Sequence, residues 1–183
     1  MPKEFLKEPN LEQHVITVKT AGPEDWRDYK EIWLEAVEKN PEAFSIDADP
    51  EDVRRETYRR DKHWKAHLKD PNAITLLLKD NKDTKGLAMA IDKSEIQRGL
   101  WRIRHVYISP AIRGQHAGEK LMVEILEKIK ERGGKQASLN VMDNPEQIPA
   151  LKLYEKLGFE NKGKYEEVIH GKKKGRYDML KNL

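Results

Sequence analysis

Cysteine is absent from this chain of 183 residues, which excludes disulfides, thiolate nucleophiles and cysteine-based metal sites together. No uninterrupted apolar stretch approaches the roughly 20 residues that a membrane helix needs. The start, Met1 to Asn10, is charged and holds no apolar core of a secretory signal. A large charge of one sign is also missing. The 35 basic and 32 acidic residues leave a net +3, too little to predict nucleic-acid binding but suited to a small anionic ligand. What the chain does have is four Trp, six Tyr and several aliphatic runs, enough for one packed domain. A soluble cytoplasmic domain that spans no membrane is the expectation.

Residues 1–13 show no sustained periodicity and read as a loose leader, followed by a single domain over 14–183. His14 to Thr20 alternates as a first strand. Gly22-Pro23-Glu24-Asp25 starts a helix on which Trp26, Tyr29, Ile32, Trp33, Ala36 and Val37 recur at helical spacing, and Asn40-Pro41 ends it. A second helix is predicted from about Pro50 to Leu68. The period then changes to two, with strands at 73–79, 85–91 and 100–108 forming an antiparallel meander. Leu121, Met122, Ile125, Leu126 and Ile129 mark an amphipathic helix stopped at Gly133-Gly134. A strand at 137–142, a short helix at 149–157 and a hairpin of 159–169 with 176–180 close the chain, Lys172-Lys173-Lys174 forming the hairpin tip. The fold class is α+β.

The most informative segment runs from Val106 to Gly118, where a strand passes through Ser109-Pro110-Ala111-Ile112-Arg113-Gly114-Gln115-His116 into a helix. The first N–H groups of a helix have no intrahelical partner, and its dipole makes that end positive. Small residues at 114, 117 and 118 would let a ligand approach the backbone, so Arg113 to Gly118 form a credible diphosphate cradle. A Walker P-loop is excluded, because Gly114 to Lys120 lacks its spacing and its hydroxyl. A dinucleotide fingerprint is excluded by the missing glycines and the missing first parallel strand. Simple capping of the helix is the bland alternative.

This segment resembles motif A of the GCN5-related N-acetyltransferases, Q/R-x-x-G-x-G/A, with Arg113, His116 and Gly118 at the signature positions and histidine in place of the central glycine. Leu139-Asn140-Val141 and then Ala150-Leu151-Lys152-Leu153-Tyr154-Glu155-Lys156-Leu157-Gly158-Phe159 resemble motif B. Pro41-Glu42-Ala43-Phe44 resembles the acceptor-side arm of many bacterial members. The likeness covers about Val15 to Leu180.

The resemblance implies a central, mostly antiparallel mixed sheet flanked by about four helices. It also implies direct transfer of an acetyl group from acetyl-CoA, as cosubstrate and without a metal, to a primary amine of a small molecule, peptide or protein. The cofactor would lie on Val106, Tyr107, Ile108, Arg113, Gly114, Gln115, His116, Ala117 and Gly118. A strand bulge would free a backbone N–H, that of Ile108 by preference, to polarise the thioester carbonyl. Tyr154 matches the general acid that protonates the departing thiolate. No carboxylate lies on 100–105 where some members carry a base; His105 is the nearest candidate, since an ordinary imidazole titrates near neutrality. Gln147 occupies the pantetheine-contacting position three residues before Ala150, with Asn144 close by as the alternative, and Phe44 would meet the acceptor. His14, His63 and His67 show no convergent metal spacing.

Two rivals stand beside this reading. One is a catalytically weak acyl-CoA-binding sensor; the other is a basic nucleic-acid binder, for which the expectation is negative. Monomer and homodimer are both open.

Overall fold

The computed structural model describes residues 15–44, 57–169 and 171–183. The leader over 1–13, His14 and the first part of the second predicted helix lie outside them. The strands are β1 (Ile16–Thr20), β2 (Ala73–Asp80), β3 (Asp83–Asp92), β4 (Leu100–Ile108), β5 (Gln136–Met142), β6 (Glu160–Ile169) and β7 (Lys172–Asn182). They form one sheet in the order β1-β2-β3-β4-β5-β7-β6, antiparallel throughout except for the β4–β5 pair. Four α-helices lie among the described residues: α1 (Trp26–Lys39), α2 (Asp61–His67), α3 (Ala117–Glu131) and α4 (Ile148–Lys156). No helix among them is long and apolar enough to cross a membrane.

Each face of the sheet has its own core. Leu121, Met122, Ile125 and Ile129 of α3 and Tyr154 of α4 pack with Leu76, Leu78, Ile103 and Leu139. Tyr29, Ile32, Trp33, Ala36 and Val37 of α1 and Trp64 of α2 pack on the other face with Leu77, Leu87, Met89 and Tyr107. Because β2 and β3 are covered on both sides, they bury nearly continuous runs instead of alternating.

Local chemistry fixes the helix ends. Pro23 opens a short turn into α1, with the Asp25 carboxylate accepting from the Gly22 N–H at 2.9 Å. Gly133, at φ +78°, supplies the left-handed residue just past α3.

Two expectations need correcting. The second helix does not run unbroken from Pro50 to Leu68: Arg60 is extended (φ −67°, ψ 149°), and α2 begins only at Asp61. Nor do Lys172, Lys173 and Lys174 form a hairpin tip. They are in β7, which pairs with β6 as far as Ile169 opposite Lys172. Cross-strand charge stands in for apolar alternation there, with Lys173 3.3 Å from Glu166.

The feature that positions the site is the parting of β4 from β5. They pair only over Leu100, Trp101 and Arg102 against Gln136, Ala137 and Ser138. On the other edge of β4, Met89 faces Arg104 and Leu87 faces Tyr107, leaving His105 and Val106 opposite the single residue Ala88. This β-bulge puts His105 in the left-handed region at φ 58°. It bends β4 away from β5 and opens a split in the middle of the sheet.

Candidate active site

The split is flanked by two adjoining cavities that share Ala43, Phe44, Val106, Gln147 and Tyr154. The larger, about 460 Å³, lies on the side of the helix α3 N-terminus and of α4. That volume falls in the usual range for small-molecule sites. The smaller, about 60 Å³, opens between β4 and β5 toward β7.

Along the large cavity run Val106, Tyr107 and Ile108. Ser109 donates its N–H to the Lys85 carbonyl at 2.8 Å, so Ser109 faces β3. Strand alternation therefore turns the Ile108 N–H away from β3 and toward the split. The Tyr107 ring belongs to the α1 side: it is buried, and its hydroxyl donates to Glu35 Oε1 at 2.9 Å. Burial and that neighbouring carboxylate hold the Tyr107 phenol well above its ordinary range.

The loop before α3 forms the mouth. Arg113 is extended and exposed, and its Nε donates to the Ile108 carbonyl at 3.1 Å, tying the loop to the end of β4. Gly114 has φ +80°, and a Cβ there would meet nothing within 4 Å, so the backbone lies open to a ligand. His116 takes up the left-handed conformation (φ 57°, ψ 13°) as the residue capping α3, and Lys120 N–H donates to its carbonyl at 3.0 Å. The position where motif A has glycine is thus left-handed here, occupied by a histidine. Its Nδ1 lies 3.3 Å from Glu119, which also holds Lys156 at 2.7 Å and so links α3 to α4. Ala117 and Gly118 complete the rim, and Gly118 lets Leu153 of α4 come close, at 3.2 Å from where a Cβ would stand.

Tyr154 is buried, sits at the boundary of the two cavities and packs edge-on against Phe159 at 6.0 Å. Burial raises its pKa, so the phenol keeps its proton across the physiological range. Of the two pantetheine candidates, Gln147 lines both cavities. Asn144 lines neither, and its Oδ1 accepts the Gln147 N–H at 3.1 Å as a cap. Gln115 is exposed and outside the lining as well.

On the far side, Phe44 and Trp33 enclose His105. Trp33 meets it edge-on at 4.4 Å between ring centres, and Phe44 stacks on it at 5.9 Å. Its Nδ1 is buried without a hydrogen-bond partner among the described residues. Burial, helped by the Arg104 charge, pushes the imidazole down to about 3. The ordinary pKa on which its role as base rested does not survive the surroundings that the bulge creates. The ring is neutral at neutral pH and offers a hydrogen-bonding nitrogen without being a strong base.

The structure thus gathers Phe44, His105, Val106, Tyr107, Ile108, Arg113, Gly114, His116, Ala117, Gly118, Gln147 and Tyr154 about one split. Sequence reasoning missed Trp33 as the wall behind His105, and Asn140 and Arg176 as cavity residues. At these positions the sequence offered the helical spacing of Trp33 and the motif B likeness that includes Asn140, and nothing that set Arg176 apart from its strand. Among the described residues no group of three or more His, Asp or Glu converges to hold a metal ion.

A sheet that parts after three paired residues, a bulge on the longer strand and a glycine-lined helix entry define an acyltransferase-type fold. The model of the Acetyltransferase (GNAT) family matches residues 26–159, and the chain belongs to that family. Solved structures agree on the fold. A GNAT-family acetyltransferase from Streptococcus pneumoniae is 22% identical with a TM-score of 0.75, covering 92% of this chain and 100% of its own. Ribosomal-protein-alanine N-acetyltransferase from Brucella melitensis is 21% identical with a TM-score of 0.74, covering 91% and 99%. The Salmonella typhimurium protein yncA, solved with its cofactor acetyl-CoA, is 20% identical with a TM-score of 0.71, covering 92% and 94%. No curated protein matches the chain.

Proposed function

We propose that this protein transfers the acetyl group of acetyl-CoA directly to a primary amine. The observation that carries the reading is the split itself: one buried tyrosine stands between a large cavity under the α3 N-terminus and a small one beside His105. The residues present fit such a cosubstrate. Gly114 leaves its backbone open, the first turn of α3 presents unpaired N–H groups, and Arg113 adds a cation at the rim. Acetyl-CoA, when bound, supplies an activated acyl group as a thioester.

The chain's own residues then have distinct tasks. Arg113 to Gly118 hold the diphosphate, and Gln147 faces the pantetheine arm. The Ile108 N–H donates to the carbonyl oxygen as negative charge develops there. The amine nitrogen forms the new C–N bond while the C–S bond breaks, and Tyr154 gives its proton to the departing sulfur. A neutral His105 ring accepts a hydrogen bond from the uncharged amine. It holds that form in place without abstracting a proton from an ammonium of pKa ~10.4. The proton that the acylated nitrogen sheds passes through water and restores the Tyr154 phenol.

The same neutral ring, in a cavity with no carboxylate among its described lining residues, favours a second reading: an acyl-CoA binder with little turnover. Release of free thiol from acetyl-CoA across a panel of amines separates the two. Turnover with any amine supports the enzyme. Tight coenzyme A binding with no thiol release supports the sensor.

A further inference from the structure

Resting on the amine-acylation reading, we infer that the acceptor is an amine that also carries a carboxylate, an amino acid in its simplest form, bound by Arg104 and Arg176 in the small cavity beside His105. That cavity is lined by Arg104, His105, Asn140, Gln147, Tyr154 and Arg176, with Phe44 and Val106 where it meets the larger one. Two guanidinium side chains and no carboxylate are among its described lining residues. A second cation on the acceptor, as in a polyamine or a lysine side chain, would face the like charge of Arg104 there, with no carboxylate in the described lining to offset it.

The two arginines differ in a useful way. Arg176 of β7 is 8% exposed, and its Nε lies 2.7 Å from Glu167 of β6, which holds it in place from the strand behind. Arg104 of β4 is exposed and has no ion-pair partner among the described residues. Its neighbour two residues back, Arg102, is committed to Asp178 at 3.6 Å and is not part of the lining. Among the described residues that line this cavity, Arg104 is therefore the cation without an ion pair, one residue before the bulge. Its planar fork matches a carboxylate. An acceptor whose carboxylate meets Arg104 and whose amine meets the imidazole of His105 has its nucleophile beside Tyr154, at the split. The amine and carboxylate of an amino acid share one carbon, which suits the short reach of a cavity of about 60 Å³.

The test compares acylation of several L-amino acids, the matching amino-acid amides and putrescine, with thiol release as readout. The amide is a stringent control, because its amine is less basic and so more often neutral. Amino acids are expected to exceed both in kcat/KM. Arg104→Gln should lower kcat/KM for amino acids roughly tenfold to hundredfold while leaving the amides almost unchanged. Arg104→Glu should shift preference toward putrescine, and Arg102→Gln should leave the ranking as it is. Faster turnover of putrescine or the amides by the unaltered protein would overturn the inference while leaving the acetyltransferase reading intact. So would an equal loss for all three classes in Arg104→Gln. Thiol release with none of the amines would overturn both.

Discussion

Two histidines in this protein share a backbone conformation that L-residues seldom adopt, and they occupy opposite sides of the same split. His105, at φ 58°, is inside the β4 bulge, walled by Trp33 and Phe44, with a buried nitrogen lacking a partner. His116, at φ 57°, stands in solvent at the entry to α3, its ring near Glu119. Tertiary packing holds the first in place, and the chain's turn into a helix holds the second. Strain of similar size is thus used twice. On one side it aims a side chain, and on the other it aims backbone N–H groups and leaves the side chain incidental.

The sharpest way to break this contrast is at the wall between the two sides. Tyr154→Phe removes a proton donor and little volume, so kcat should fall about 10²- to 10⁴-fold with coenzyme A affinity nearly unchanged. Calorimetric titration beside steady-state kinetics checks this; matched losses in kcat and affinity would make Tyr154 a packing residue only.

On the His105 side, the prediction concerns acid stability. The folded protein holds this imidazole near 3, whereas an unfolded chain would hold it near its ordinary 6.5. Between those values the unfolded state binds the extra proton. The stability of the folded form is therefore complete above about 6.5 and lost as pH falls toward 3, by up to about 1.4 kcal/mol per pH unit. His105→Asn, which tolerates a left-handed backbone and does not titrate, should flatten that acid limb. Thermal melts across pH 7 to 4 measure it, and parallel limbs for the two proteins would place the proton elsewhere.

On the other side, Arg113→Ala should weaken coenzyme A binding about tenfold, the lower end for a hydrogen bond to a charged group, since the side chain is exposed. Turnover at saturating acetyl-CoA should stay close to normal. An unchanged dissociation constant would remove Arg113 from the cradle.

The two sides also differ in how far they could be read from sequence. The proposed cradle is local: a strand end, an arginine, small residues and an amphipathic run lie within about two dozen consecutive positions, so composition and periodicity are enough to suggest it. α1 and α3 were legible for the same reason, their buried residues recurring every three or four positions. The His105 side is not local. Its bulge exists only because Met89 and Leu87 fix the register on both sides of Ala88, and its pKa depends on rings brought from α1 and from Phe44. Read along β4 alone, His105 is a strand histidine with an ordinary pKa. Arg176 was invisible likewise, because β7 meets the split only after the chain has folded back along β5. The polar run Lys172-Lys173-Lys174 looked like a turn, since nothing in its own composition discloses the glutamates across from it.

The smallest effect is the one that isolates the backbone. A left-handed L-residue costs about 1–2 kcal/mol, less for histidine than for most, and glycine avoids that cost while gaining about 0.5–1 kcal/mol of unfolded-state entropy. His116→Gly also gives up a contact to Glu119, but Glu119 keeps Lys156 at 2.7 Å, so the link between α3 and α4 persists. The balance is a gain of about 0.5 kcal/mol, a rise in Tm of about 1–2 °C for a chain this long, with coenzyme A affinity kept. His116→Ala has the strain without histidine's tolerance of it and should lie below the unaltered protein. The ranking Gly above His above Ala is what a side chain incidental to its turn requires. If alanine matched histidine in stability while glycine and alanine both lost coenzyme A affinity, the imidazole would belong to the site, and the asymmetry between the two histidines would vanish.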